Sequence, residues 1–177
     1  MQGRDSIRQA FEAYSDELFR HCLVRLSDRE RALELTQECF LKVLQYVERG
    51  KEVQDMRPFL YQTLRHLIID EYRKHKNVSL EALAESAERE VDDFLPPAED
   101  NVLEAAIGRF DGARALAALW GLPEPYREAV ALRYLDGFSP KEIAVLIGES
   151  ENAASVRVHR GLKKLRAMLE ADSGFRI

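Results

Sequence analysis

The stretch S-P-K-E-I-A-V-L-I-G-E-S-E-N-A-A-S-V-R-V-H-R-G-L-K-K-L-R, from Ser139 to Arg166, decides the fold because its punctuation reads from cap to cap. Ser139 offers a hydroxyl to cap a helix, and Pro140 suits the first helical position, where its missing N–H has no partner to lose. Glu142 stands three residues after the cap and can close a capping box. A helix is therefore expected from Pro140 to about Ile147. Gly148 follows as a residue that enters left-handed backbone at little cost, and Ser150 is placed to cap a second, longer helix. Helix, tight turn and helix form the unit whose second member enters the DNA major groove.

On that second helix Ala154, Val158, Leu165 and Leu169 recur at helical spacing as an inward face. Asn152, Ser155, Val156, His159, Arg160 and Lys163 project from the other side. From Ser155 to Ala167 there are five basic residues (Arg157, Arg160, Lys163, Lys164, Arg166) and no acidic one, which gives affinity for phosphate. Asn152, Ser155 and Arg157, near the N-terminal end, are candidates to reach base edges. A basic run alone is more often a solvated face. Two capped helices with a glycine turn between them favour DNA binding.

The rest of the chain bounds the answer. Its 177 residues suit two small domains, and 46% hydrophobic with 32% charged residues is the balance of a soluble globular protein. No apolar run approaches a membrane span and the N-terminus lacks a signal-peptide core, so a cytoplasmic protein without membrane insertion is expected. Cys22 and Cys39 have no neighbouring cysteine and read as small buried hydrophobes. No metal-ligand spacing, glycine-rich phosphate loop or nucleophile elbow occurs, so no metal, cofactor or enzymatic activity is expected.

A net charge of −5 fits a DNA-binding chain once it is divided along the sequence. Between Ser79 and Gly112 there are ten acidic residues against two basic ones, with Pro96-Pro97 in the centre. That stretch reads as a linker, with short helices around Leu80–Arg89 and Val102–Phe110. The expected organisation is all-α: a helical domain over 1–77, an acidic linker over 78–110 and a helix-turn-helix domain over 111–177.

In the first domain Ile7, Ala10, Phe11, Tyr14, Leu18, Cys22 and Leu26 keep a helical period. Asp28 then looks like the cap of a second helix carrying Ala32, Leu35, Cys39, Phe40, Val43, Leu44 and Val47, which Gly50 ends. After a polar loop, Pro58 opens a third helix with Phe59, Leu60, Leu64, Leu67, Ile68 and Tyr72, ending in R-K-H-K at Arg73–Lys76. Tyr61, Arg65, His66, Tyr72, Arg73 and Lys74 combine aromatic and basic groups, as single-stranded nucleic-acid sites do, although aromatics at this spacing serve equally as core. His21 and His75 read as solvated or capping residues.

Both halves resemble one family in the right order. E-L-T-Q-E-C-F-L-K-V-L (Glu34–Leu44), P-F-L-Y-Q-T-L-R-H-L-I-I-D-E-Y-R-K (Pro58–Lys74) and L-P-E-P-Y-R-E-A-V-A-L-R-Y-L-D-G-F-S-P-K-E-I-A (Leu122–Ala144) are similar to motifs of the extracytoplasmic-function group of sigma-70 factors. The resemblance covers most of the chain and implies two domains, sigma domain 2 and sigma domain 4, that bind the clamp helices and flap of core RNA polymerase. It implies that Glu34, Gln37, Glu38, Phe40 and Leu41 dock on the clamp. It also implies that Gln45–Met56 captures a flipped base of the minus-10 element, and that Tyr61, Arg65, His66, Asp70, Arg73 and Lys74 line the opened non-template strand. Asp70 is expected to pair with basic neighbours. On the reading helix, Asn152, Ser155, Val156, Arg157, His159, Arg160 and Lys163 are expected at the minus-35 element of promoter DNA.

This chain departs from the family at His66, where Asn is frequent, and at A-A-S-V-R, where T-V-K-S-R is frequent. Ser155 thereby lacks a phosphate or guanine contact, and Val156 offers an apolar group to a thymine methyl. The expected function is transcription initiation, with an anti-sigma factor as a further partner. A stand-alone dimeric helix-turn-helix regulator is the alternative, and a sigma-like decoy a third reading.

Overall fold

Every element that follows is a helix, which is what the periodicities require of a chain whose apolar residues recur every three to four positions. The computed structural model describes residues 2–75 and 112–173. The first part holds α1 (Gln2–Leu26), α2 (Arg29–Glu48) and α3 (Met56–His75). The second holds α4 (Gly112–Gly121), α5 (Glu124–Val130), a π-helical turn (Ala131–Leu135), α6 (Pro140–Ile147) and α7 (Glu151–Ser173). They belong to two compact units, Met1–Ser79 and Leu80–Ile177. The expected linker over 78–110 and its two short helices lie outside the described residues.

In the first unit the three helices pack against one another pairwise. Asp28 caps α2, its side chain accepting from Arg31 N–H at 3.0 Å, and Gly50 takes φ +77° just beyond the helix end. Leu18, Cys22, Ala32, Leu35, Cys39, Leu60, Leu64 and Ile68 fill the core. Both cysteines are free and buried, Cys39 Sγ lies 3.3 Å from the Leu60 carbonyl, and burial pushes each thiol up to about 12.

Two sequence expectations need correction here. Phe11, read as part of the inward stripe, is 49% exposed and only rests its ring edge-on against Phe40 at 5.0 Å. His21, expected in solvent or at a cap, is buried beside Leu18 and Arg25 and packs edge-on on Tyr61 at 5.3 Å. The reason is common to both. Because α1 meets α2 and α3 at once, its buried arc is wider than a single stripe and is rotated toward His21 and Arg25.

Ion pairs tie the helices across this core. Arg31 of α2 grips buried Glu71 of α3 with two bonds, Nε to Oε1 at 2.7 Å and Nη2 to Oε2 at 2.6 Å, and its Nη1 reaches Glu34 at 2.6 Å. Arg57 of α3 reaches Glu17 of α1 in the same forked way, at 2.8 and 3.3 Å. The Arg31 guanidinium outweighs burial and holds the Glu71 carboxyl down at about 2. Tyr72 donates to the Arg25 carbonyl, closing the far end of α3 onto α1.

In the second unit α7 is the axis against which α4, α5 and α6 pack. Gly161 lets α7 come close to α5: a Cβ there would stand 2.7 Å from Val130 Cγ2 and 3.1 Å from the Tyr126 carbonyl. Arg127 Nη2 donates to the Trp120 and Leu122 carbonyls at 2.7 and 2.9 Å, satisfying the chain that leaves α4. The π-helical turn is one the sequence did not announce. Its wider coil, closed by Asp136 N–H to Ala131 O at 3.1 Å, turns through Gly137 at φ +74° and brings Phe138 into the core before α6 begins.

Candidate nucleic-acid interface

The helix-turn-helix forms as its punctuation requires. Ser139 accepts from Glu142 N–H at 3.3 Å while the Glu142 carboxylate accepts from Ser139 N–H at 2.7 Å, a complete capping box with Pro140 as the first helical residue. Gly148 adopts φ 74°, ψ 34°, and Glu149 N–H returns to the Ala144 carbonyl at 3.0 Å. Ser150 Oγ then accepts from Ala153 N–H at 3.1 Å to start α7. Ala154, Val158, Leu165 and Leu169 are all buried, which fixes the rotation of α7 about its axis.

That rotation turns one row outward. Asn152, His159 and Lys163 are exposed and Val156 half-buried on the same side, with Ser155 and Arg160 flanking them, both half-buried. The row combines an amide, an imidazole, an apolar tip and cations, the groups that contact base edges and phosphates. Arg157 is placed differently from the sequence expectation. It lies on the flank of α7, its side chain is only 18% exposed, and it is ion-paired to Glu149 of the turn.

On α3, Arg65 is half-buried and His66, Arg73 and Lys74 are exposed, with Arg65, His66 and Arg73 on one side at helical spacing. Asp70 pairs with Arg73 at 3.4 Å. Tyr61, the aromatic member of the expected single-strand site, is 2% exposed, with His21 edge-on to it at 5.3 Å and the Arg57 guanidinium over its ring at 5.4 Å. Its ring is core and presents no face to a base, so the stacking role expected of it does not fit the fold. The segment Gln45–Met56 proves helical up to Glu48, and its irregular part is residues 49–55. There Lys51 Nζ sits 4.9 Å above the Tyr46 ring, which in turn leans on Phe59 at 4.9 Å.

A third surface belongs to α2. Leu33 (51% exposed), Gln37 and Leu41 (57% exposed) follow one another at every fourth position, with Glu34 beside them. Glu38 is half-buried and pairs with Lys42 at 3.6 Å, while Phe40 is buried under Phe11. Phe40 therefore braces this surface from beneath. Leu33 and Phe11 were missed as surface residues, although two leucines eight apart outside the core stripe carried the signal. Among the described residues no group of three or more His, Cys, Asp or Glu side chains could hold a metal ion, and no helix is long and apolar enough to cross a membrane.

A helix-turn-helix with a basic, outward-facing second helix defines the class: a DNA-binding protein. Comparison with known sequences narrows it. Residues 10–78 match the family described as sigma-70 region 2, and residues 113–165 match sigma-70, region 4. The sigma factor SigE of Mycolicibacterium smegmatis, an extracytoplasmic-function protein, is 30% identical over 165 residues, 90% of this chain and 60% of its own length. SigW of Bacillus subtilis is 25% identical over 174 residues, covering 94% of this chain and 90% of its own. The sigma factor RpoE of Bartonella quintana, solved in complex with the anti-sigma factor NepR, shares the fold: TM-score 0.68 at 21% identity, over 94% of this chain and 98% of that one. The chain belongs to the extracytoplasmic-function group of the sigma-70 family of RNA polymerase sigma factors, whose members are not enzymes.

Proposed function

We propose that this protein binds core RNA polymerase in the cytoplasm, directs it to a small promoter set and helps to open the minus-10 region. The observation that carries the reading is the presence, in one chain, of a solvent-facing Leu33–Gln37–Leu41 ridge on α2 and a capped helix-turn-helix with a free polar and basic row on α7. An exposed aliphatic ridge rimmed by Glu34 favours a protein partner. The polymerase clamp is that partner, contacted by Glu34, Gln37, Glu38 and Leu41, with Phe40 supporting them from the core. The second unit touches the flap.

Asn152, Ser155, Val156, His159, Arg160 and Lys163 read and grip the minus-35 element, Val156 against a thymine methyl. Arg65, His66, Arg73 and Lys74 neutralise the opened non-template strand, and the 49–55 segment receives the extruded base, whose lost stacking these cations help to offset. An anti-sigma protein that covers the polymerase-facing ridge completes the set of partners.

The test is capture and run-off transcription with core polymerase. The parent should bind core and start transcripts from mapped genomic promoters, while Leu33→Asp with Leu41→Asp should lose core binding with unchanged helicity. Tight, specific promoter binding by the free chain, undiminished by those substitutions, would replace this function with that of a stand-alone regulator. Core binding without transcripts would make the protein a decoy.

A further inference from the structure

Arg157 is the one cation of the Ser155–Ala167 run whose charge is answered from within the turn. Its Nη2 donates to Glu149 Oε1, and the pair leaves only 18% of the arginine side chain and 30% of the glutamate exposed. At 100° per residue, Arg157 stands about 100° round the helix from Val156 of the outward row, so an extended Arg157 would point toward the wall of a groove, where phosphates lie, and not toward its floor. Glu149 is itself well anchored. Its N–H is bonded to the Ala144 carbonyl at 3.0 Å, and the preceding Gly148 is fixed in left-handed backbone. The start of α7 is capped by Ser150, so the Glu149 carboxylate is not needed as a cap.

We propose that Glu149 is a positioning residue that holds Arg157 against the helix-turn-helix turn and withholds its charge from DNA phosphates, lowering the sequence-independent affinity of the second unit. The inference rests on the reading that α7 docks on DNA. Each phosphate neutralised contributes about 0.9 to the slope of log affinity against log salt. With Arg157 engaged, four of the five bases between Ser155 and Ala167 remain for phosphate, and binding leans correspondingly on base contacts and on polymerase. A carboxylate at this place in the turn also repels any phosphate that would compete for the guanidinium.

The experiment is a salt series with the full chain on a labelled duplex of scrambled sequence, with unfolding followed in parallel to confirm the fold. Glu149→Gln keeps size and a hydrogen-bond acceptor but removes the charge. It should raise affinity for the scrambled duplex about three- to tenfold near 0.1 M salt and steepen the slope by about 0.9. In an Arg157→Ala background the same substitution should leave the slope unchanged and keep only the smaller gain from losing the carboxylate's own repulsion, a difference that a loosened turn would not produce. Lys163→Ala serves as the reference, lowering the slope by about one contact. If Lys163→Ala lowers the slope while Glu149→Gln leaves it unchanged or flattens it, the role given to Glu149 is overturned and DNA docking by α7 stands. If neither substitution alters the slope, docking by α7 falls and the role of Glu149 falls with it.

Discussion

Replacing Glu71 with glutamine removes the charge that Arg31 grips across the α2–α3 contact. The carboxyl falls from its ordinary 4.5 to about 2, a shift of 2.5, and at 1.36 kcal/mol per unit this corresponds to about 3 kcal/mol. Glu71 is 5% exposed, so solvent screens its side of the pair little, but Arg31 is 30% exposed and retains Glu34 at 2.6 Å, which brings the expected loss to about 2–3 kcal/mol. In a domain of this size that lowers the melting temperature by roughly 10–20 °C.

The sign of the pH dependence is fixed by the direction of the shift. A depressed carboxyl pKa contributes stability that is complete above the unfolded value and is lost as pH falls toward the folded one, here from 4.5 to about 2. The gap between parent and Glu71→Gln should be full at pH 7, shrink to about two-fifths near pH 3 and close near pH 2. Circular dichroism follows the helices, and fluorescence of Trp120, the single tryptophan, reports on the second unit, where the transition should stay put. A gap of equal size at pH 3 and pH 7, or a displaced Trp120 transition, would refute the assignment of this stability to the Arg31–Glu71 pair.

Other outcomes follow from the same geometry. Gly148→Val should lower the melting temperature of the second unit through backbone strain of about 1 kcal/mol or more, because a Cβ there meets nothing within 4 Å while φ is +74°; an unchanged melting curve would contradict the left-handed turn. Leu41→Asp alone should weaken capture of core polymerase at least tenfold with unaltered helicity, as read in a competition assay against the parent. Arg65→Ala and Arg73→Ala should spare polymerase binding but reduce permanganate reactivity of thymines in the melted region. A pre-opened bubble template should restore most of the activity, since unstacking is already complete there; a defect that persists on the bubble would point to lost docking.

The elements most legible in the sequence are those with local causes. Ser139, Pro140, Glu142, Gly148 and Ser150 act on their own neighbours within a few residues, and each does in the fold what its chemistry dictates. Asp28 and Gly50 are of the same kind. What escaped reading depends on partners distant in the chain. Glu71 looks like an exposed acid until Arg31, 40 residues away, is brought to it, and His21 looks like a surface residue until α3 covers its side of α1. Tyr61 failed for the same reason, since helical spacing gives the period of a stripe but not which of two neighbours claims it. The Glu149–Arg157 pair spans only eight residues, yet it crosses a turn, so no helical period connects its members.

These distant contacts also explain how the first unit can present its surfaces. An aliphatic ridge on α2 and a basic side on α3 are useful only if neither helix rotates, because a turn of about 100° would carry Leu41 to the buried position of Phe40 and Leu35 to the exposed position of Glu34. Apolar packing alone permits such slippage at moderate cost, since leucines are interchangeable with leucines. Forked ion pairs do not: Arg31 satisfies Glu71, and Arg57 satisfies Glu17, at one rotation of each helix only. Glu17 ties α1 to α3 and Glu71 ties α3 to α2, so the three helices are locked in register. The Tyr72 bond to the Arg25 carbonyl then holds the end of α3 from which Arg73 and Lys74 extend. The charged interior of this unit is thus the device that aims its outer faces, and the second unit achieves the same end for α7 with caps, a left-handed glycine and the close Gly161 contact.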